Sequence, residues 1–193
     1  MKRMLAWILL LLLCACAAAE DLGALSDYLA AADVSALGAD EWTEEAGGRV
    51  LSVSPSADAM VSLCAEGGRL LAISVTAPKG DTCEELARLA LLPGGWFDAA
   101  ALDAMLEAGE GGAANGALLT LLEGELREGI YLCAEGALDG MYWQPLHGGE
   151  DRHKSLRCSG MDVPRLISPQ AADALGLPPC DKCAGGKGEG EPE

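Results

Sequence analysis

The sequence predicts an α+β fold: a helix followed by an antiparallel meander, with a small cysteine-built module after it. Three observations carry this. Short runs that alternate apolar with small polar residues, such as residues 49–54 and 70–77, read as strands. Between and before them, leucines recur at helical spacing in stretches that stop at glycine. Beyond residue 138 the chain changes character, as the acidic excess disappears and cysteines gather toward the end.

Each element follows from its residues. Leu22, Leu25, Leu29 and Ala32 lie at helical spacing and run toward Gly38, which predicts one helix over residues 21–37. Residues 49–54, 60–65 and 70–77 read as three strands, the last two joined at Glu66-Gly67-Gly68. Thr82-Cys83-Glu84-Glu85 has the form of a capping box, opening a helix through Leu86, Leu89 and Ala90 that ends at Pro93-Gly94-Gly95. Asp98 opens a second helix carrying Leu102, Met105 and Leu106, with Gly109 as its stop. Residues 109–116 read as a flexible glycine-rich connection, and residues 117–122 and 129–134 as strands. Leu63-Cys64-Ala65-Glu66-Gly67 returns as Leu132-Cys133-Ala134-Glu135-Gly136, so the domain could be a duplicated helix-then-meander unit. Chance repetition in an Ala/Gly/Glu-rich chain is the alternative.

Thirty acidic residues against 13 basic ones give a net charge of −17, and most of the imbalance falls between residues 22 and 138. Such a surface repels a phosphate backbone, so nucleic acid is not an expected partner. The same span contains no histidine, so neither a Ser-His-Asp nor a Cys-His pair can be built within it, and no catalytic residue is assigned. A pair of carboxylates in a cleft, as in glycosidases, is the enzymatic alternative to a solvated acidic face. Glu41, Glu44 and Glu45 beside Trp42 read as surface. Cys64, Cys83 and Cys133 form an odd set: either they include a disulfide such as Cys64–Cys133, or all three are buried thiols.

The first residues read as a targeting segment. Lys2-Arg3 precedes an apolar run over residues 4–13, then small residues with Ala17-Ala18-Ala19 as a cleavage site before Glu20. The run is short for a membrane span. Leu13-Cys14-Ala15-Cys16 also resembles a lipobox, which would make the chain a lipoprotein attached to a membrane through lipidated Cys16. Both routes predict an extracellular or cell-surface protein. The organisation expected is a signal peptide over 1–19, an acidic α+β domain over 20–138, a small module over 139–184 and a disordered acidic tail over 185–193.

The module carries the chemistry. His153 is followed by Cys158, and Pro179-Cys180-Asp181-Lys182-Cys183 contains a C-x-x-C. Three thiols and an imidazole suit a tetrahedral zinc site, the C-x-x-C turning two sulfurs toward one point. Residues 141–144 could pair with 150–153 across Gly148-Gly149. Ser168 as cap and Pro169 at the first position open a helix that Gly176 ends. Arg152, Lys154, Arg157, Arg165 and Lys182 would offset the charge of a zinc bound by three thiolates. A disulfide among Cys158, Cys180 and Cys183 is the alternative in an oxidising exterior. His147 and His153 flank Glu150, but Gly148-Gly149 breaks the helix that an H-E-x-x-H protease motif requires, and His147 reads as a turn residue.

The pattern His153…Cys158-Ser159-Gly160-Met161…Ile167-Ser168-Pro169…Ala172…Gly176…Pro179-Cys180…Cys183 resembles a short zinc-binding tail found on exported proteins of Gram-positive bacteria. Its second half is similar to the metal-binding module of Ada-type alkylation-repair proteins. His153 stands where the Ada pattern has a cysteine, which argues against methyl-acceptor chemistry. The resemblance implies a zinc-knuckle module with a structural zinc on His153, Cys158, Cys180 and Cys183, and leaves the acidic domain unrecognised. The function expected is an exported, non-enzymatic binding or interaction protein whose partner is a protein or a cell-envelope ligand. An extracellular hydrolase using carboxylates of the acidic domain is the alternative.

Overall fold

A computed structural model describes residues 21–124, 126–146, 149–156, 158, 161 and 164–184. The signal segment with Cys16, His147, Arg157 and the 185–193 tail lie outside the described residues. The fold is α+β, built on an antiparallel sheet of meander-like order.

Strand β1 (Gly23–Ala24) leads directly into helix α1 (Leu25–Ala31). A meander follows, made of β2 (Thr43–Glu45), β3 (Val50–Ser56), β4 (Ala59–Glu66) and β5 (Arg69–Pro78). Helices α2 (Asp81–Leu91) and α3 (Ala99–Ala108) come next, then β6 (Gly112–Ala114), β7 (Ala117–Glu123) and β8 (Arg127–Ala134). The strand order is β2-β3-β4-β5-β8-β7-β6, with β1 pairing the start of β5. Helix and meander thus alternate twice, and the two meanders join where β5 pairs β8. The echoed residues share a register, since Leu63 and Leu132 both pair with Ile73, and Cys64 and Cys133 both pair with Ala72.

Strand alternation sends Leu51, Val61, Leu63, Ile73, Val75, Ile130 and Leu132 to one face, where α1, α2 and α3 cover them. Tyr28 donates to the Ala90 carbonyl at 2.9 Å and the Trp96 indole to the Leu22 carbonyl at 3.1 Å, which ties the helices to one another and to β1. Val50, Cys64, Ala72, Tyr131 and Cys133 point to the opposite face.

That second face is covered by the C-terminal segment. Strand β9 (Tyr142–Pro145) pairs with β10 (Pro164–Ile167) to form a separate ribbon, and helix α4 (Pro169–Ala174) follows it. Met141, Trp143, Leu166, Ile167, Ala171 and Ala172 share one core with the sheet residues beneath them. The ribbon is held by side chains of the sheet. The Ser74 hydroxyl accepts from Leu166 N at 2.9 Å, the Cys64 sulfur accepts from Ser168 N at 3.2 Å, and the Tyr131 hydroxyl donates to the Pro164 carbonyl at 2.8 Å. Tyr131 and Trp143 meet edge to face with centroids 4.9 Å apart, an arrangement worth about 1 kcal/mol beyond area burial. The small polar residues of the alternating strands therefore face a buried interface: Ser52, Ser62, Ser74 and Thr76 are all buried.

Several local expectations change. The helix expected over 21–37 stops at Ala31, because the Asp33 carboxylate accepts from Ser35 N and Ala36 N and starts a separate turn. The helix expected to be capped by Thr82 begins at Asp81 with Gly80 as its cap, so Thr82 lies inside the first turn. Residues 109–116 are not a loose connection. Asn115 and Gly116 take φ of 51° and 78°, the two positive values that a tight hairpin needs, and join β6 to β7. Asp98 and Gly109 cap α3 as the sequence indicates, and Ser168 accepts from Ala171 N at the start of α4.

Candidate metal centre

The site is assembled from three short pieces. The first is the extended segment around His153. Trp143 N donates to the His153 carbonyl at 2.8 Å and His153 N to the Trp143 carbonyl at 2.9 Å. The hairpin expected between 141–144 and 150–153 is thus reduced to this one bridge, and β10 takes the place of its second strand. Because side chains alternate in extended chain, His153 turns inward and is buried while its neighbours turn out. Arg152 lies 4.9 Å and Lys154 4.1 Å from the centre of the Tyr142 ring. Arg152 also pairs with Asp173, and the Lys154 ammonium donates to the Asp139 and Met141 carbonyls. These contacts hold the segment that presents the imidazole.

The second piece is the knuckle. Arg152 N donates to Pro178 O at 2.9 Å and Cys180 N to Arg152 O at 3.0 Å, which zips the knuckle to the histidine segment in parallel. Cys183 N and Ala184 N both donate to the Cys180 carbonyl, closing the turn that brings the C-x-x-C sulfurs to one side. The third piece carries Cys158, whose amide donates to the Ser155 carbonyl at 3.1 Å.

The structure brings together all four residues that the sequence nominates. One ligand atom from each of His153, Cys158, Cys180 and Cys183 lies within 4.8 Å of every other, so the group could hold a metal ion. His153 and Cys180 are buried, while Cys158 and Cys183 are half-buried. The separations are too long for a crosslink and leave room for a metal ion. The Cys158 and Cys180 sulfurs are 3.7 Å apart, and the Cys183 sulfur is 3.6 Å from His153 Nδ1. A disulfide would need about 2.05 Å between sulfurs. A tetrahedral ion with sulfurs at about 2.3 Å and an imidazole nitrogen at about 2.05 Å requires edges of about 3.8 and 3.5 Å.

The basic residues expected to surround the ion are only partly there. Arg152 and Lys154 flank His153 in sequence, but Arg165 is committed elsewhere. Its guanidinium donates to both Glu45 oxygens at 2.9 and 2.8 Å and to Gln144 at 2.8 Å, and only 4% of its side chain is exposed. Glu45, expected as surface, also accepts from the Ser52 hydroxyl, and Arg165 holds its carboxyl below the ordinary range. Sequence reading missed this pair because the partners are 120 residues apart and lie on unconnected strands.

Cys64, Cys83 and Cys133 are free thiols. Cys64 and Cys133 flank Ala72 on opposite sides of β5. With strands about 4.8 Å apart, their Cα atoms are about 10 Å apart, beyond the roughly 7 Å reach of a disulfide. Burial pushes both thiols up to about 11, and burial pushes Cys83, on the helix side of the sheet, up to about 12.

A cavity of about 220 Å³ between the helices and the β7–β8 hairpin is lined by Glu84, Leu106, Leu121, Glu123, Glu128 and Ile130. Two of its three carboxylates are ion-paired. Glu123 pairs with Lys79 at 2.6 Å, which lowers its pKa, and Glu84 pairs with Arg88 at 3.2 Å. Compared with family models, with curated proteins and with solved structures, the chain matches none.

Proposed function

We propose that His153, Cys158, Cys180 and Cys183 bind one structural zinc, and that the ion fastens the C-terminal module of an exported, non-enzymatic interaction protein. The observation that carries the metal is the pair of 3.7 and 3.6 Å separations, which match the edges of a tetrahedral zinc site. Four protein ligands leave no position for a catalytic water, so the ion's chemistry there is crosslinking. His153 and the knuckle lie at the two ends of the segment that packs on the sheet, and the ion joins them.

The surface that meets a protein or cell-envelope partner is the acidic α+β body, which disfavours nucleic acid by charge. The hydrolase alternative is weakened at the cavity, because a catalytic acid needs a raised pKa and Glu123 is lowered by Lys79. Export rests on the basic, apolar and small-residue order of residues 1–19. Among the described residues no helix is long and apolar enough to cross a membrane. Attachment through lipidated Cys16 is the second route out of the cytoplasm.

Elemental analysis of the purified chain tests the metal. One zinc per chain is expected, and Cys180→Ser should abolish it. A stoichiometric zinc retained by Cys180→Ser would place the ion elsewhere. Intact mass of the secreted and membrane fractions tests export: a chain starting at Glu20 or at acylated Cys16 is expected, and an unprocessed Met1 in the cytosol would refute it.

A further inference from the structure

We infer that Cys158 and Cys180 are an oxidative modification site, at which a two-electron oxidant of the hydroperoxide class forms a disulfide and expels the metal. This rests on the zinc reading above. The geometry selects the pair. Cys158 is half-buried, and its sulfur is in contact with the Cys180 sulfur at 3.7 Å. The Cys183 sulfur lies within 4.8 Å of both, but its contact at 3.6 Å is with His153 Nδ1, and an imidazole cannot close a disulfide. Cys64, Cys83 and Cys133 are fully buried, and a buried thiol is inert toward oxidants. An exported chain would meet such oxidants without the reducing systems of the cytoplasm.

The reaction balances within the site. The Cys158 thiolate attacks one peroxide oxygen, the O–O bond breaks, and hydroxide leaves while sulfur becomes a sulfenic acid. The Cys180 thiolate then attacks that sulfur, an S–S bond forms, and a second hydroxide leaves. Two sulfurs lose one electron each, the two peroxide oxygens gain them, and two protons from solvent complete two waters. The sulfurs close from 3.7 Å to about 2.05 Å and no longer serve as thiolate ligands. Only Cys183 and His153 then remain, and a structural zinc is not held by two ligands. The new bond joins the same two segments that the ion had joined, so the ribbon stays on the sheet.

The full chain as purified is assayed first for zinc, then treated with hydrogen peroxide beside a chromophoric zinc chelator, with non-reducing peptide mapping of the product. The expected result is loss of the zinc in step with one Cys158–Cys180 disulfide. Cys64, Cys83, Cys133 and Cys183 should remain alkylatable after denaturation, and dithiothreitol with added zinc should restore the starting state. A chain that carries zinc but keeps it under peroxide, or whose disulfide lies at another pair, overturns this inference and leaves the metal site standing. A chain without zinc before any oxidant is added overturns the metal reading and this inference with it.

Discussion

At the scale of single residues, the most consequential contact outside the metal cluster is Glu45 with Arg165. A guanidinium left buried without its carboxylate is costly, because desolvation is no longer offset by two charge-assisted hydrogen bonds. Glu45→Gln should destabilise the fold by about 1–2 kcal/mol, a figure discounted because a third of the glutamate side chain stays in water. Urea titration at neutral pH would measure it. The pair also sets a pH dependence. Arg165 lowers the folded pKa of Glu45 below its ordinary 4.5, so as pH falls the unfolded chain takes up the proton first. The stabilisation is complete above that ordinary value and is lost as pH falls through the lower folded value. Glu45→Gln should therefore flatten the acid limb of stability against pH, and an unchanged limb would show that other carboxylates govern it.

At the scale of elements, the junction between β10 and α4 concentrates several roles in one side chain. The Ser168 hydroxyl donates to Glu66 and accepts from Ala171 N, while its amide donates to the Cys64 sulfur. Ser168→Ala removes a helix cap and the bond to Glu66 at the end of β4 while keeping the amide bond to Cys64, so a loss of about 1–2 kcal/mol is expected in thermal or urea unfolding. Gly129 presents a different constraint. A methyl group added there would sit 2.2 Å from the Tyr131 hydroxyl, which is already committed to Pro164. Gly129→Ala should push the Tyr131 ring off its place beneath Trp143, cost about 1–3 kcal/mol and change the near-ultraviolet circular dichroism of the aromatic pair.

At the scale of the whole molecule, the sheet has two cores, and the chain from residue 141 onward supplies half of the second. An acidic domain folding alone over residues 20–138 would keep its helix-covered face but leave Val50, Cys64, Ala72, Tyr131 and Cys133 in water. A chain ending at Leu138 should therefore bind a hydrophobic dye and aggregate, and Cys64 and Cys133 should react with a thiol reagent that does not reach them in the full chain. A soluble, cooperative product with unreactive thiols would show that the two segments fold separately.

The sequence by itself determined the α+β class, the strands carrying alternating residues, the caps at Asp98 and Ser168, and the four side chains of the candidate metal centre. These were legible because each rests on neighbours within a few residues: a period, a capping side chain, a C-x-x-C. The helix expected to continue past Ala31 failed on an equally local contact, the Asp33 turn, which helical periodicity does not weigh. Only the tertiary structure decided which way the polar face of the sheet looks. Ser52, Ser62, Ser74 and Thr76 are buried, which alternation alone does not show, since it marks which residues share a face and not what covers it. The ribbon that covers them arrives from about 90 residues beyond Ser74, and Arg165 finds Glu45 across 120 residues. The same distance kept the disulfide question open, until the strand order set β5 between Cys64 and Cys133. Periodicity specifies elements, whereas pairing across long stretches of chain is settled by which faces can exclude water together.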